Sequence, residues 1–418
     1  MIALLLACNG PDEVEPIDSE SAVIETELTW YRDVKPIVDE HCTRCHYDGG
    51  AGTGDFEDVE HVDAIAEYML SRAQAGEMPP AVSDPECRPY HGQDHLVLDG
   101  DELAVFEEWV LGGRPLGDPQ DDPQIEVPSG ELEDPDLTVL IAEGGYTPTY
   151  ADQSQPGNEY RCFVLDLELD SAVFVTDMAP IVDKAEIVHH VVLSTAKRSD
   201  ISESKTGPQG YDCINGSGVL DGMVGAWAPG MLPVSLPEGY GLQIGADEVV
   251  VLQMHYFASG PETEGLADRS GYAFKTVPAV DTEVLLAPVG IYNFNIPAGD
   301  EAYTDGGRFK NDYPVSLEVH AVFPHMHVLG SAYDYRIEHT DGSETCLATG
   351  RYDFHNQMTY QFEEPAILEP GASIEFSCTW NNSESNPELI VNPPQDTHYG
   401  ERTDEEMCFF FTFVNVKI

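Results

Sequence analysis

The chain has 418 residues, which is too long for one compact core and suggests two or three domains. Acidic residues outnumber basic ones 76 to 19, which gives a formal net charge of −57. A surface of this charge repels nucleic acid and anionic membranes, and its plainest interpretation is solubility or a saline habitat.

The N-terminus predicts a clipped export signal. The sequence LLAC that ends at Cys8 resembles the lipobox of bacterial lipoproteins, and a lipidated Cys8 would tether the chain to a membrane. Acidic residues follow and predict a solvated tether, so residues 1–28 are interpreted as signal and tether. No other segment is apolar for long enough to span a bilayer.

Residues 29–114 show a helical pattern. Val34, Ile37 and Val38 follow a spacing of three and four, and similar runs occur within residues 62–69 and 103–111. The pattern predicts a small all-α domain. Residues 115–137 are rich in Pro, Asp and Gln and predict a linker.

A haem-attachment motif, C-x-x-C-H, lies in this segment at Cys42, Cys45 and His46. The two thiols would add to the haem vinyl groups and the histidine would ligate the iron, with Met78 as the ligand on the opposite side. A zinc or redox site with an incidental histidine is the alternative. Three nearby histidines compete with Met78 and are expected to be surface groups: His61, His91 and His95.

Residues 30–113 resemble the single-haem cytochrome c domains found in multidomain enzymes of environmental bacteria. The matching landmarks are DVKPI at 33–37, the haem motif, MPP at 78–80 and WV at 109–110. This resemblance implies one covalently attached c-type haem and an extracytoplasmic location, at the periplasm or cell surface. It does not indicate which reaction the haem serves.

After residue 137 the pattern changes to short strands separated by Gly, Pro, Asn and Asp, which predicts β-sandwiches. The length suits two of them, with predicted domains 138–283 and 284–418. The clearest predicted strands are residues 163–169, 187–194, 249–257, 315–323 and 374–380.

Five histidines and a methionine in the β region suit metal ligation. His325 and His327 are two apart, so on a strand they point to one face, and Met407 would complete a soft set for Cu(I). His189 and His190 are adjacent, so both side chains would reach one ion only at a bulge, a strong twist or a strand end. A three-imidazole copper or zinc site is predicted from His189, His190 and His255. Three further histidines are interpreted as structural: His320, His355 and His398.

With the motifs in this order, residues 138–418 resemble the copper type II, ascorbate-dependent monooxygenases, the family of peptidylglycine α-hydroxylating and dopamine β-monooxygenases. The most specific stretch is THYG at 397–400, followed by Thr403 and by EMC at 406–408. Further matching stretches are WAP at 227–229, LPEG at 236–239, VLQMHY at 251–256 and YDF at 352–354.

The resemblance implies two jelly-roll-like β domains that face each other across a solvent-filled cleft. The predicted fold class is therefore multidomain, a small all-α cytochrome c domain followed by two all-β jelly-roll-like sandwich domains. An electron-storing copper would be held by His189, His190 and His255. A catalytic copper, which binds O₂ and substrate, would be held by His325, His327 and Met407. The cofactors would be two copper ions and the haem, and the reaction would hydroxylate a C–H bond.

The resemblance also implies a disulfide between Cys378 and Cys408, which would hold Met407 in place. The other cysteines outside the haem motif and the lipobox leave three pairings open: Cys87, Cys162, Cys213 and Cys346. The pair Cys162–Cys213 is favoured because both cysteines fall in the first predicted β domain.

The chain departs from the peptide-processing branch of that family where the branch binds a peptide carboxylate. The arginine, asparagine and tyrosine expected there are replaced by Phe323, Phe409 and Phe411. The pocket is therefore predicted to be apolar, and a small hydrophobic or aromatic molecule is expected as the substrate rather than peptidylglycine.

The partners expected are this substrate, O₂ and an external electron donor, either an ascorbate-like reductant or a redox protein. Electrons from the haem would enter at the three-histidine site. Two alternatives remain, a secreted haem–copper electron-transfer or copper-binding protein without hydroxylase activity, and a surface lipoprotein with a degenerate enzyme fold. The complete set of six copper-ligand candidates favours the enzyme.

Overall fold

The computed structural model describes residues 26–141, 144–151, 157–213, 217–218, 222–258, 260, 263–400 and 402–417. The lipobox with Cys8 and the tether up to residue 25 lie outside these residues. Within the described part of the chain, no helix is both long and apolar enough to cross a membrane.

The α-helices of the described residues all lie near the N-terminus. A π-helical turn, Trp30–Val34, leads into α1, and the α-helices are α1 Lys35–His41, α2 Val59–Gln74, α3 Gln93–Leu96 and α4 Gly100–Leu111. The three runs with helical apolar spacing thus form helices, as predicted.

Capping and burial explain the two longer helices. Asp58 caps α2 by accepting a hydrogen bond from the N–H of Glu60, and Asp99 and Glu102 form a reciprocal capping box at the start of α4. Trp30 and Trp109 pack together at 5.6 Å between ring centroids. The inner faces of these helices share one small core, whose buried members include Val34, Val38, Val62, Ala66, Leu70, Phe106 and Trp109.

The prediction of a separate all-α cytochrome domain is wrong. Residues 42–58 and 75–92 form turns and loops, and Tyr90 forms an isolated β-bridge with Phe362 of the C-terminal β region. Tyr90 also belongs to the large core of the β regions rather than to the helical core. Helical periodicity identified the helices, but long segments between them pack on the β regions and carry no periodic signal.

The first β region contains eleven strands among the described residues: β1 Leu137–Leu140, β2 Asn158–Leu165, β3 Val173–Ile181, β4 Val188–Lys197, β5 Tyr211–Asp212, β6 Met223–Trp227, β7 Val234–Ser235, β8 Tyr240–Ile244, β9 Glu248–Phe257, β10 Gly271–Val277 and β11 Thr282–Glu283. One sheet has the order β1-β10-β3-β8-β11, with β7 also paired to β3. The other has the order β5-β2-β9-β4-β6.

The second β region contains ten strands among the described residues: β12 Leu285–Gly290, β13 Asn295–Ile296, β14 Tyr303–Lys310, β15 Leu317–His325, β16 Gly330–Glu338, β17 Glu344–Arg351, β18 Tyr360–Leu368, β19 Ser373–Trp380, β20 Thr397–His398 and β21 Phe409–Val416. Two four-stranded sheets have the orders β12-β21-β15-β18 and β14-β19-β16-β17, and β13 pairs with β20.

The fold class predicted from the sequence is contradicted here as well. The chain is mostly β, but its described strands form five sheets of six, five, four, four and two strands, and β11 pairs with β8 in parallel. This is not a pair of jelly-roll sandwiches behind an all-α domain. Alternating hydrophobicity predicted the strands at the five positions named above, but it does not specify which strands pair.

Three disulfides connect the described cysteines outside the haem motif: Cys87–Cys346, Cys162–Cys213 and Cys378–Cys408. The second pair was favoured from sequence and the third was implied by the resemblance, and both are confirmed. The first joins the N-terminal segment to β17. Disulfides persist in oxidising compartments, so these bridges are consistent with an extracytoplasmic protein.

Candidate metal centres

Three histidines converge on two neighbouring strands of the first β region. His190 on β4 lies opposite His255 on β9, and the register of the two strands shifts between Val188 and His190. His189 is the extra residue at this shift, so both adjacent histidines can face His255. Each of the three offers one ligand atom within 4.8 Å of the others.

The spacing of the ring nitrogens suits a metal ion. Nδ1 of His190 is 3.3 Å from Nδ1 of His189 and 3.3 Å from Nδ1 of His255. Two nitrogens that lie ~2.0 Å from one ion at a tetrahedral angle are ~3.3 Å apart. The three Nδ1 atoms therefore fit the donor set of copper or zinc.

Hydrogen bonds at Nε2 of His255 and of His189 determine which ring nitrogen carries no proton. Nε2 of His255 is 2.7 Å from Oδ1 of Asn158, and Nε2 of His189 is 2.8 Å from Nδ1 of His355. A neutral imidazole carries one proton, so donation from Nε2 leaves Nδ1 with a lone pair for a metal.

Burial keeps these imidazoles neutral. It lowers the pKa of His189 to about 3, with a further contribution from His355, and lowers the pKa of His190 and of His255 well below the usual value. His255 is completely buried and His190 nearly so. Neutral imidazole is the form that ligates metal, so the centre is ready to bind an ion at neutral pH.

The second centre lies where β15 ends. His325 is the last residue of that strand and His327 lies beyond it, so the pair does not sit on one strand as the spacing predicted. Their rings are nevertheless 5.3 Å apart between centroids and nearly perpendicular.

Both rings of this centre are held by hydrogen bonds at Nδ1. Nδ1 of His325 is 2.7 Å from Oε1 of Gln357, and Nδ1 of His327 is 3.0 Å from the carbonyl oxygen of Glu405. Burial lowers the pKa of His325 to about 3 and that of His327 to about 4. Both rings are thus neutral, which is the form of imidazole that ligates metal.

Met407 lies beside this pair in a buried apolar cluster. It is 4% exposed, and its neighbour Cys408 is fixed to β19 by the Cys378–Cys408 disulfide. Phe409, two residues on, is the cross-strand partner of His325. The cluster joins both β regions and contains Val192, Met223, Ala226, Phe323, Met407, Phe409 and Phe411.

One phenylalanine ring separates the two centres. The centroid of Phe354 is 6.1 Å from that of His190, 6.3 Å from that of His255 and 6.4 Å from that of His327. The resemblance implied a solvent-filled cleft between the centres. Buried residues of both β regions meet in the apolar cluster near this ring, and the solvent-filled cleft stays a prediction.

A covalent haem at the C-x-x-C-H motif stays a prediction. Cys42 and Cys45 are the free thiols among the described residues, and burial raises the pKa of the Cys42 thiol to about 12. Nδ1 of His46 is 2.8 Å from the carbonyl oxygen of Thr53, so Nε2 is the nitrogen that would ligate the predicted iron.

Met78 lies in the loop after α2 and is 43% exposed. Its role as the second iron ligand therefore stays a prediction. A further group of possible ligands combines Glu40 and His41, just before the haem motif, with Glu102 of α4. Here Nε2 of His41 contacts the carboxylate that also closes the capping box of α4, so a structural role explains the group.

Sequence analysis missed four residues that contact the centres. Asn158, Gln357 and Glu406 carry no motif of their own, although Glu406 lies within the specific EMC stretch. His355 follows the YDF stretch and was interpreted as structural, yet it contacts His189. Each of these contacts joins strands or loops far apart in the chain, so no local pattern could reveal it.

Comparison with known proteins agrees with this geometry. Residues 150–261 match the family domain described as copper type II ascorbate-dependent monooxygenase, N-terminal domain, and residues 288–414 match its C-terminal domain. The fold and the two centres thus define a copper oxidoreductase built from two β regions. The chain belongs to the copper type II, ascorbate-dependent monooxygenase family.

Curated relatives include peptidyl-glycine alpha-amidating monooxygenase A of Xenopus laevis, 25% identical over 65% of this chain and 27% of that protein. The Mus musculus peptidyl-glycine alpha-amidating monooxygenase is 25% identical over 67% of this chain and 27% of that protein. The chain therefore spans under a third of the length of these relatives. Among solved structures, the infectious bursal disease virus VP2 subviral particle matches 65% of this chain and 75% of its own chain, at 10% identity. The TM-score of this match is 0.19, which is too low to indicate a shared fold.

Proposed function

We propose that the protein is an extracytoplasmic copper-dependent monooxygenase that hydroxylates a C–H bond of a small hydrophobic or aromatic molecule. One atom of O₂ enters the product and the other leaves as water, which requires two electrons and two protons besides substrate and O₂. Copper ions bound at the two centres would supply the electrons, one from each Cu(I).

The observation that carries this proposal is the pairing of two different donor sets across one aromatic ring. The first set has three imidazoles, and the second has two imidazoles with Met407 nearby. A thioether is a soft ligand that favours Cu(I), so the second centre suits reaction with O₂. The first, with nitrogen donors alone, suits electron storage.

The surroundings of the second centre support an apolar substrate. Phe323 lies 5.8 Å from His325 and Phe411 lies 6.1 Å from it, between ring centroids. Phe323, Phe409 and Phe411 are each at most 5% exposed. These rings exclude water and offer no charge to a peptide carboxylate, which supports a small hydrophobic or aromatic substrate.

We further propose that electrons reach the copper centres through a haem held by Cys42, Cys45 and His46. One contact in particular supports this relay. Nδ2 of Asn356 donates to the carbonyl oxygen of Ala81, 3.0 Å away and three residues after the expected iron ligand Met78. His355, which directly precedes Asn356 in the chain, contacts the three-histidine centre. An external reductant, ascorbate-like or a redox protein, would supply the haem.

Copper analysis combined with oxygen uptake tests the function. Purified protein should bind two copper ions and consume O₂ faster in the presence of one member of a panel of small aromatic and aliphatic compounds. His327→Ala should abolish this uptake, whereas His339→Ala, which changes a histidine outside both centres, should leave it unchanged.

The same experiment addresses the alternative of a haem–copper electron carrier. Full copper loading without any substrate-stimulated O₂ uptake would contradict the monooxygenase and favour the carrier. Turnover of C-terminal glycine peptides alone would contradict the apolar substrate class but not the reaction type.

A further inference from the structure

His355 reaches the three-histidine centre from the opposite β region. It lies between β17 and β18, and its Nδ1 is 2.8 Å from Nε2 of His189, with the rings edge to face. On its other side, Nε2 of His355 is 3.0 Å from Oε2 of Glu388. A carboxylate, an imidazole and a ligand of the centre thus form one continuous line of hydrogen bonds.

The positions of the protons in this line follow from the geometry of the centre. Nδ1 of His189 faces Nδ1 of His190 at 3.3 Å and is the nitrogen directed at the metal position. Nε2 of His189 must then carry the proton and donate it to Nδ1 of His355, whose own Nε2–H donates to Glu388. Because His355 faces the ring nitrogen directed away from the metal position, it lies outside the ligand set.

We propose that His355 and Glu388 are positioning residues of the three-histidine centre, supplied to it by the second β region. The proposal rests on the copper assignment made above. A partner behind a ligating histidine fixes its tautomer and ring orientation and raises its basicity. A carboxylate at the end of the line increases the electron donation of His189, which favours Cu(II) over Cu(I).

The ligand histidines differ in the location and the charge of the groups that hydrogen-bond to them. His255 has its far-side partner, Asn158, on the same sheet, and that partner is an uncharged amide. His189 instead depends on an imidazole and a carboxylate, His355 and Glu388, from the other β region. The reduction potential of copper at this centre therefore depends on whether the two β regions are packed together.

Two substitutions in the full-length, copper-loaded protein test the proposal. His355→Phe removes the acceptor and keeps a ring, and Glu388→Gln keeps the shape of the carboxylate while removing its charge. The matched control is Glu384→Gln, which removes an exposed charge from the same loop between β19 and β20. Cu(II) affinity is measured by competition with a chelator, the potential by a redox titration, and the number of imidazole ligands by X-ray absorption.

His355→Phe is expected to weaken Cu(II) binding at one of the two sites by ~10–100-fold, to raise its potential and to leave the imidazole count unchanged. Glu388→Gln should shift both quantities in the same direction by less, and Glu384→Gln should match the parent protein. If His355→Phe does not fold, the isosteric Glu388→Gln decides alone.

Unchanged affinity and potential in both variants would overturn the proposal. Loss of one imidazole from copper in His355→Phe would overturn it too, because His355 would then be a direct ligand. Failure of the proposed function is a separate result, since it appears in the parent protein as fewer than two bound copper ions, before any variant is compared.

Discussion

The backbone N–H of His327 donates a hydrogen bond to the carboxylate of Glu406 over 2.9 Å. Glu406 is completely buried, and it also accepts from the N–H groups of Leu329 and Met407 and from the indole of Trp380. Burial raises its pKa to about 7, although these four donors act in the opposite direction. One side chain therefore fixes the backbone on both sides of the second centre.

Glu406→Gln is expected to destabilise the fold and to weaken copper binding at the second centre. An amide replaces one acceptor oxygen by a donor, so at least one buried N–H loses its partner, at a cost of ~1–3 kcal/mol each. Thermal unfolding and copper stoichiometry measure the two effects. Glu405→Gln is the matched control, because His327 contacts only its backbone carbonyl. A Glu406→Gln protein as stable and as copper-loaded as the parent would contradict this role.

Removal of the Cys87–Cys346 disulfide is expected to loosen the N-terminal segment from the second β region. The bridge closes 259 residues of sequence, and losses of ~2–5 kcal/mol are typical when a native disulfide is removed from a small secreted domain. The double substitution Cys87→Ser with Cys346→Ser should lower the unfolding midpoint and expose residues near 76–97 to protease. The double serine variant of Cys162 and Cys213 serves as the comparison, since that bridge lies within one sheet. Equal protease resistance near residues 76–97 in both variants would contradict the assignment.

The sequence predicted individual elements better than their arrangement. The buried stripe of α2 and the strand that carries His255 both follow from local spacing of apolar residues. The association of Tyr90 with Phe362 across 272 positions does not, because neither residue has a neighbour in sequence that reports the contact. The prediction of a separate all-α domain failed because such long-range contacts leave no local signal in the sequence.

The candidate centres show the same division. The order of the motifs predicts His189 and His255 as one set, and a bulge is one of the three geometries that allow adjacent histidines to reach one ion. Gln357, which contacts His325, could not be predicted, because its position depends on how a loop of the second β region folds back on β15. Partners behind a ligand are set by tertiary packing, and a single sequence carries no trace of them.

Substitution of both haem cysteines, Cys42→Ala with Cys45→Ala, is expected to remove the haem absorption while leaving two copper ions bound. Turnover driven by a cytochrome reductant should be lost because the relay is broken. Turnover driven by ascorbate should remain, since that reductant can reach copper without the haem. Equal activity of the haemless protein with every donor would contradict the relay and leave the copper assignment intact.

His325 is expected to make the metal-free protein less stable as the pH falls below about 6.5. A substitution of this residue measures its contribution separately. Burial, followed by the neighbouring His327, lowers the pKa of His325 to about 3 in the folded state. The unfolded chain therefore takes up a proton that the folded chain does not, so the contribution is fully present above the unfolded pKa. It is lost progressively as the pH falls toward the folded pKa, by up to ~1.4 kcal/mol per pH unit.

His325→Gln should remove this contribution, so the free energy of unfolding of the variant should fall less steeply than that of the parent between about pH 7 and about pH 5. Glu406 and His355 have raised pKa values and act in the opposite direction, but both proteins contain them, so they largely cancel in the difference. Denaturant unfolding of the metal-free proteins at several pH values gives the two curves. Parallel curves would show that the pKa of His325 is the same in the folded and unfolded protein, which would contradict its burial as a neutral imidazole.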